Sequence, residues 1–157
     1  GPWKGLALRV CHPSTPVDVY CDGSGTTDDK SCGCGLVFMR DKFVLFEAAV
    51  SLGCGTNNVA EAAGLRIALE LLREAYSPNV LARVHSDSEW ALTASALDCQ
   101  WKLKDSPAKD QALAARGPRA VMPRVTFHKV KGHSGVPGNE RADELANIAR
   151  LRPIKTP

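Results

Sequence analysis

The chain has no apolar run near the ~20 residues that carry a helix across a bilayer. Its first residues lack the charged start and apolar core of an export signal. Both absences argue against a membrane partner and predict an intracellular, non-secreted protein. None of the six cysteines (Cys11, Cys21, Cys32, Cys34, Cys54, Cys99) falls in a Cys-x-x-Cys pair, which removes the common zinc and dithiol motifs. His12, beside Cys11, has no spaced partner pair either. Cys21, Cys32 and Cys34 sit on expected strands as small buried hydrophobes, reduced rather than bridged. There is no internal repeat and no low-complexity segment.

What is present is an ordinary globular composition, 44% hydrophobic and 24% charged over 157 residues, enough for one core and one domain. The net charge of +3 hides an asymmetry. Residues 1–99 carry 8 Lys/Arg against 12 Asp/Glu, whereas residues 100–157 carry 12 against 5. An acidic half beside a basic half suits a polyanionic substrate, although basic helices are often merely solvated. Gly1-Pro2 reads as a tag remnant, so 1–16 is expected to be an irregular lead-in, 17–151 the domain and 152–157 a tail. A larger parent protein is compatible with such a start.

Alternation over Val17–Asp22 predicts a strand, stopped at Gly23-Ser24-Gly25. A polar turn at 26–31 precedes a hairpin of 32–40 and 43–51 about Asp41-Lys42. From Asn58 to Ala75 the spacing of Ala62, Leu65, Leu69 and Leu72 predicts a helix. Val80–Asp87 reads as a fourth strand, with Ser88 capping a short helix to about Leu97. Trp101-Lys102-Leu103-Lys104 is expected to start one further short helix, and Ala108–Arg116 another. Arg124–Val130 is a fifth strand. Pro137 opens a last helix with Ala142, Leu145, Ala146 and Ala149 on its buried stripe. The predicted fold class is α/β: a five-stranded mixed sheet, three antiparallel strands then parallel ones, flanked by helices. The long helix between strands 1 and 4 implies a parallel, right-handed crossover. Their ends, Asp22 and Asp87, then adjoin outside the carboxyl edge of the sheet.

Four acidic residues stand at element edges: Asp22, Glu61, Asp87 and Asp143. Singly, each has a plain reading. Asp22-Gly23 is a turn dipeptide, Asn58 and Glu61 have capping-box spacing, Asp87 helps cap a helix, and Asp143 is solvated. Jointly they suit a divalent cation, because packed carboxylates repel one another unless a cation lies among them. Mg²⁺ takes oxygen ligands and phosphates without His or Cys. Two such ions suit phosphodiester hydrolysis. Asn139 and Asp143 share a helical face. His133, in the loop before that helix, is placed to carry a proton. His12, His85 and His128 have no such context and read as structural.

Asp22-Gly23-Ser24, Thr56-Asn57-Asn58-Val59-Ala60-Glu61, Ser86-Asp87-Ser88 and Lys131-Gly132-His133-Ser134-Gly135 occur in order. With Gly138-Asn139-Glu140-Arg141-Ala142-Asp143-Glu144-Leu145-Ala146 they span residues 17–150, and together they resemble the type 1 ribonuclease H family. The resemblance implies an endonuclease hydrolysing the RNA strand of RNA/DNA hybrids with two Mg²⁺, Mn²⁺ substituting, leaving 5′-phosphate and 3′-hydroxyl ends. It implies that Asp22 bridges both ions, that Glu61 and Asp87 serve the leaving-group side, and that Asp143 serves the attacking water. His133 would assist product release. Asn57 and Asn58 would read the minor groove, where 2′-hydroxyls lie. Ser24 and Asn139 would support substrate and site.

Two departures stand out. Gly25–Gly35 lacks the glycine- and proline-rich stretch of cellular members, with Thr26-Thr27-Asp28-Asp29-Lys30 in its place. The 98–123 region is short for a basic handle, although Trp101, Lys102, Lys104 and Lys109 can still grip phosphates. Both features resemble ribonuclease H domains of retroelement reverse transcriptases. A polymerase or a hybrid-binding module in the parent protein is therefore an implied partner, and the isolated domain is expected to be a monomer. The alternatives are a non-catalytic nucleic-acid-binding or scaffolding domain of the same fold, and a DNA-cutting integrase or resolvase relative.

Overall fold

The structure is a computed structural model and describes residues 15–26, 28 and 30–152. The tag remnant and most of the lead-in, Thr27 and Asp29 of the polar turn, and the tail from 153 lie outside the described residues.

Nine elements follow one another: β1 (Val17–Ser24), β2 (Ser31–Arg40), β3 (Phe43–Cys54), α1 (Asn57–Ala75), β4 (Ala82–Ser86), α2 (Glu89–Ala94), α3 (Pro107–Ala120), β5 (Val125–Lys129) and α4 (Pro137–Leu151). The five strands form one sheet in the order β3-β2-β1-β4-β5. β1–β2 and β2–β3 pair antiparallel, β1–β4 and β4–β5 parallel. The mixed sheet and the parallel crossover expected from the sequence are both present.

Strand alternation decides which helix covers which face. Val17, Val19 and Cys21 of β1 point to one side and join Cys34, Leu36 and Phe38 of β2 in the main core. Leu65, Leu69 and Leu72 of α1 close it. The opposite face of β2 presents Gly33 and Gly35, against which α4 lies backbone to sheet. A Cβ on Gly35 would overlap the Ala142 carbonyl and crowd the Leu145 side chain, so only glycine permits this approach. Arg141 then fastens α4 to the outer strand through both Glu47 oxygens, at 3.0 and 3.1 Å.

Three expectations are corrected. No helix forms at Trp101–Lys104, where residues 100–105 are irregular and α3 starts only at Pro107, behind the Ser106 cap. α1 begins at Asn57 under a Thr56 cap rather than at Asn58. Asp22-Gly23 is no turn, because β1 continues through Ser24.

Candidate active site

Asp22 lies on β1, two residues before that strand's end, and Asp87 directly follows the parallel neighbour β4. Because β1 and β4 run side by side, the two carboxylates arrive at the same edge. Glu61 reaches them from the second turn of α1. Its Oε1 accepts the Gly23 backbone N–H at 2.8 Å, and Asp22 Oδ1 lies 2.9 Å from the same nitrogen. The capping-box account of Glu61 is thereby replaced by a tertiary contact. The room for it comes from Gly23, where a Cβ would collide with the backbone of Ala60 and Glu61.

One oxygen each of Asp22, Glu61 and Asp87 lies within 4.8 Å of the others. Asp143 is half-buried on α4 and near enough to Asp22 to help raise its pKa, but it lies outside that group of three carboxylates. Asp22 and Glu61 are buried. Burial, then the Glu61 charge, a hydrogen bond with Glu61 and the Asp87 charge push the Asp22 pKa far above the carboxylate range. Burial is again the first cause for Glu61, with Asp87 adding to it, and its pKa is also raised. Glu61 Oε2 is buried with no hydrogen-bond partner among the described residues. An orphaned buried carboxylate oxygen beside two more carboxylates is costly without a cation, and an all-oxygen donor set fits a hard divalent ion. The cluster is therefore a candidate metal site.

The β5–α4 loop closes over this edge. Gly132 lies so near that a Cβ there would stand 3.0 Å from Asp87 Oδ2. His133 follows it, exposed, at φ 55°, a left-handed conformation that non-glycine residues seldom adopt, and Gly135 has φ 86°. Asn139, one turn before Asp143, is buried with Oδ1 unpartnered among the described residues.

The other expected contacts are more dispersed. Asn57 and Asn58 are exposed in the first turn of α1. Ser24 is occupied within the protein, its hydroxyl donating to Asn147 Oδ1 at 2.7 Å and accepting from Arg150 Nε at 2.9 Å. Trp101 is 47% exposed, and Lys102 and Lys104 are exposed beside it. Lys109 is tied to Asp105 at 2.7 Å, which weakens its case as a phosphate grip. One feature escaped the sequence. A cavity of about 400 Å³ is lined by Thr56, Asn58, Val59, Ser106, Pro107 and Ala108. The capped N-termini of α1 and α3 meet there, an electropositive setting for a phosphate. Two capping hydroxyls about fifty positions apart in sequence gave no signal of it.

A sheet in this order, with carboxylates gathered at the ends of its two central parallel strands, is the ribonuclease H-like fold. A model of the RNase H family matches residues 14–150. A ribonuclease H of Cupriavidus necator is 37% identical over 143 residues, covering 83% of this chain and 92% of that protein. Among solved structures, LC11-RNase H1 in complex with RNA/DNA hybrid superposes with a TM-score of 0.70 at 27% identity, covering 86% of this chain and 96% of that one. Prototype foamy virus protease-reverse transcriptase gives 0.73 at 22% identity, over 92% of this chain and 22% of that one, a likeness of fold alone. The chain belongs to the RNase H family, and it is an enzyme of the ribonuclease H class. No helix among the described residues is long and apolar enough to cross a membrane.

Proposed function

We propose that this protein is an endonuclease that hydrolyses the RNA strand of RNA/DNA hybrids, with Mg²⁺ held by Asp22, Glu61, Asp87 and Asp143. The convergence of Asp22, Glu61 and Asp87 within 4.8 Å of one another, with Glu61 Oε2 orphaned among them and Asp143 close to Asp22, carries this reading. Two divalent ions held by these carboxylates, with Mn²⁺ able to substitute, would supply an activated water and charge neutralisation for the departing 3′-oxygen. That outcome leaves 5′-phosphate and 3′-hydroxyl ends.

The chain's own groups do the rest. Glu61 and Asp87 face the leaving-group side and Asp143 the attacking side. The rigid strands and helices beneath hold all four in place before substrate arrives, so little reorganisation is left for the reaction. His133, in a loop beside Asp87, accepts or delivers a proton as product leaves. Asn139 steadies the first turns of α4 beneath His133 and Asp143. Asn57 and Asn58 project from the helix that bears Glu61, where amide side chains can bond 2′-hydroxyls in an A-like minor groove. The cleft between Thr56 and Ser106 takes a backbone phosphate, and Trp101, Lys102 and Lys104 extend the grip along the same flank. The catalytic domain is residues 17–151, acting as a monomer in a reducing compartment.

The test is cleavage of a hybrid with its RNA strand labelled, beside duplex RNA and duplex DNA of the same sequence, in Mg²⁺. Cuts confined to the RNA of the hybrid, bearing 5′-phosphates, are expected. Equal cutting of duplex DNA, or binding of the hybrid without cleavage, would overturn the reading.

A further inference from the structure

Asp143 rides on α4, so the place of its carboxylate depends on what fixes that helix to the sheet. The middle and far end of α4 rest on β2 at Gly35 and Gly33, with Arg141 tied to Glu47 of β3. Its start is held differently. Val136, the N-cap, makes no side-chain capping hydrogen bond, so the first turn lacks the usual local fastening. What it meets instead is the ring of Tyr20 on β1. A Cβ on Gly138 would stand 2.2 Å from Tyr20 Cδ2 and 2.4 Å from Cε2. Helix backbone and ring are therefore in direct contact, with no room for a side chain between them.

Tyr20 is braced from the other side. Its ring stacks on His85 of β4 at 4.5 Å, with planes 11° apart. His85 Nε2 lies 2.8 Å from Asp18 Oδ1, and Arg83 Nε and Nη2 each donate to an Asp18 oxygen at 2.7 Å. In the parallel register Asp18 stands beside Arg83, and Tyr20 beside His85. Moving the ring aside would mean displacing a histidine that a carboxylate holds, and that carboxylate is itself gripped by a two-pronged guanidinium.

One stretch of β1 meets one stretch of α4 at two points. Tyr20 and Asp22 are alternate residues of the strand, on one face and about 7 Å apart. Gly138 and Asp143 are five residues apart, about 7.5 Å along the helix axis. Asp22 pairs with Gly35 across the β1–β2 ladder, and Gly35 lies against the Ala142 carbonyl, so Asp143 comes level with Asp22. On the helical wheel Asp143 is about 140° round from Gly138, on the flank of the helix and not its underside. A lift or roll of the first turns would move its carboxylate directly. α4 thus has one rest on β2 and another on β1, and the second is an aromatic ring.

We propose that Tyr20 is a positioning residue for catalysis: its ring, wedged against Gly138 and backed by His85, sets the lift and roll of α4 that bring Asp143 to Asp22. This rests on the reading of those carboxylates as parts of one metal site. The contact is made by ring carbons, so the hydroxyl takes no part.

The experiment compares Tyr20→Leu, Tyr20→Phe and Asp143→Asn with wild type, well below their melting temperatures. Mn²⁺ titration read by electron paramagnetic resonance is set beside hybrid-cleavage kinetics. Tyr20→Leu should weaken Mn²⁺ binding roughly 10-fold, as the loss of a group that orients metal ligands does. Its kcat should fall roughly 10- to 100-fold while KM for the hybrid stays unchanged. Tyr20→Phe, which keeps the ring, should restore both. Where Tyr20→Leu does not fold, Tyr20→Met, which keeps apolar bulk without the flat ring, is read in the same way. Wild-type Mn²⁺ affinity and kcat in the ring-less variant, with Mn²⁺ binding weakened in Asp143→Asn, would overturn the proposal. A ring that served stability alone would lower Tm and leave both quantities unmoved. Equal impairment of Tyr20→Phe and Tyr20→Leu would also overturn it, by moving the role to the hydroxyl. Unaltered Mn²⁺ binding in Asp143→Asn would instead remove the reading of the site, and the proposal with it.

Discussion

Replacing Asp22 by Asn should make the metal-free protein more stable while destroying its activity. Asp22 and Glu61 have oxygens within 4.8 Å of each other and of Asp87. Two unit charges at that separation repel by about 3 kcal/mol at an effective dielectric of about 20. The cluster escapes part of this cost by binding a proton, and the ceiling is about 1.4 kcal/mol for each pH unit above the ordinary carboxylate pKa. Near neutral pH the net cost is therefore on the order of 2–3 kcal/mol. Asparagine keeps the Oδ1 that lies near Gly23 N, gains an N–H₂ to offer Glu61, and removes the charge. For a chain of this size each kcal/mol moves Tm by roughly 2–4 °C, so Asp22→Asn should melt roughly 5–10 °C higher in chelator. With Mg²⁺ at about 100 times its Kd, wild type should gain about 2.7 kcal/mol and the variant far less. Hybrid cleavage by the variant should fall at least 100-fold, since ion-supplied charge stabilisation amounts to several kcal/mol. Calorimetric melts in chelator and in Mg²⁺ decide the matter. An Asp22→Asn protein that melts at or below wild type in chelator would refute the claim of mutual repulsion.

Other outcomes follow from the same geometry. The folded-state pKa values of Asp22 and Glu61 are raised, so the native state binds more protons than the unfolded one. The stability of metal-free protein should then be greatest in acid and decline as pH rises above about 4, apart from any other titrating group. Urea midpoints across pH 4–8 would check this, with a decline reduced in Glu61→Gln. Gly35→Ala drives a methyl into the α4 backbone at Ala142 and should cost about 3 kcal/mol or more in urea denaturation; unchanged stability would mean that α4 sits farther from β2. Replacing Lys102 and Lys104 by Ala should lower the salt slope of hybrid affinity by up to about 2, read from Kd at several KCl concentrations. Asn57→Ala should weaken hybrid binding more than duplex DNA binding, measured by competition; equal losses would remove the 2′-hydroxyl role.

Much of the fold was legible because it is written in local periodicity. The alternation of Val17, Val19 and Cys21, the Asp41-Lys42 turn and the Leu65–Leu72 stripe each name an element without tertiary help. Trp101–Lys104 misled because its residues tolerate helix, but Ser106 and Pro107 a few positions on supply a stronger start, and the helix nucleates there. The second helix was expected over Ala108–Arg116, yet α3 runs to Ala120 with Pro118 in its last turn. At the site, the four acids were visible as residue types at element edges. The reason for Glu61 was not, because its partner is the Gly23 amide, 38 positions away. The meeting of Tyr20 with Gly138 depends on how α4 lies over β1, which local sequence does not encode.

The central claim is that Asp22, Glu61, Asp87 and Asp143 form one divalent-cation site. Mn²⁺ titration of the wild type and of Asp22→Asn, Glu61→Gln, Asp87→Asn and Asp143→Asn, read by electron paramagnetic resonance, addresses it directly. Each single change is expected to weaken Mn²⁺ binding at least 10-fold, Asp22→Asn most of all. Wild-type Mn²⁺ affinity in any one of the four would contradict the account.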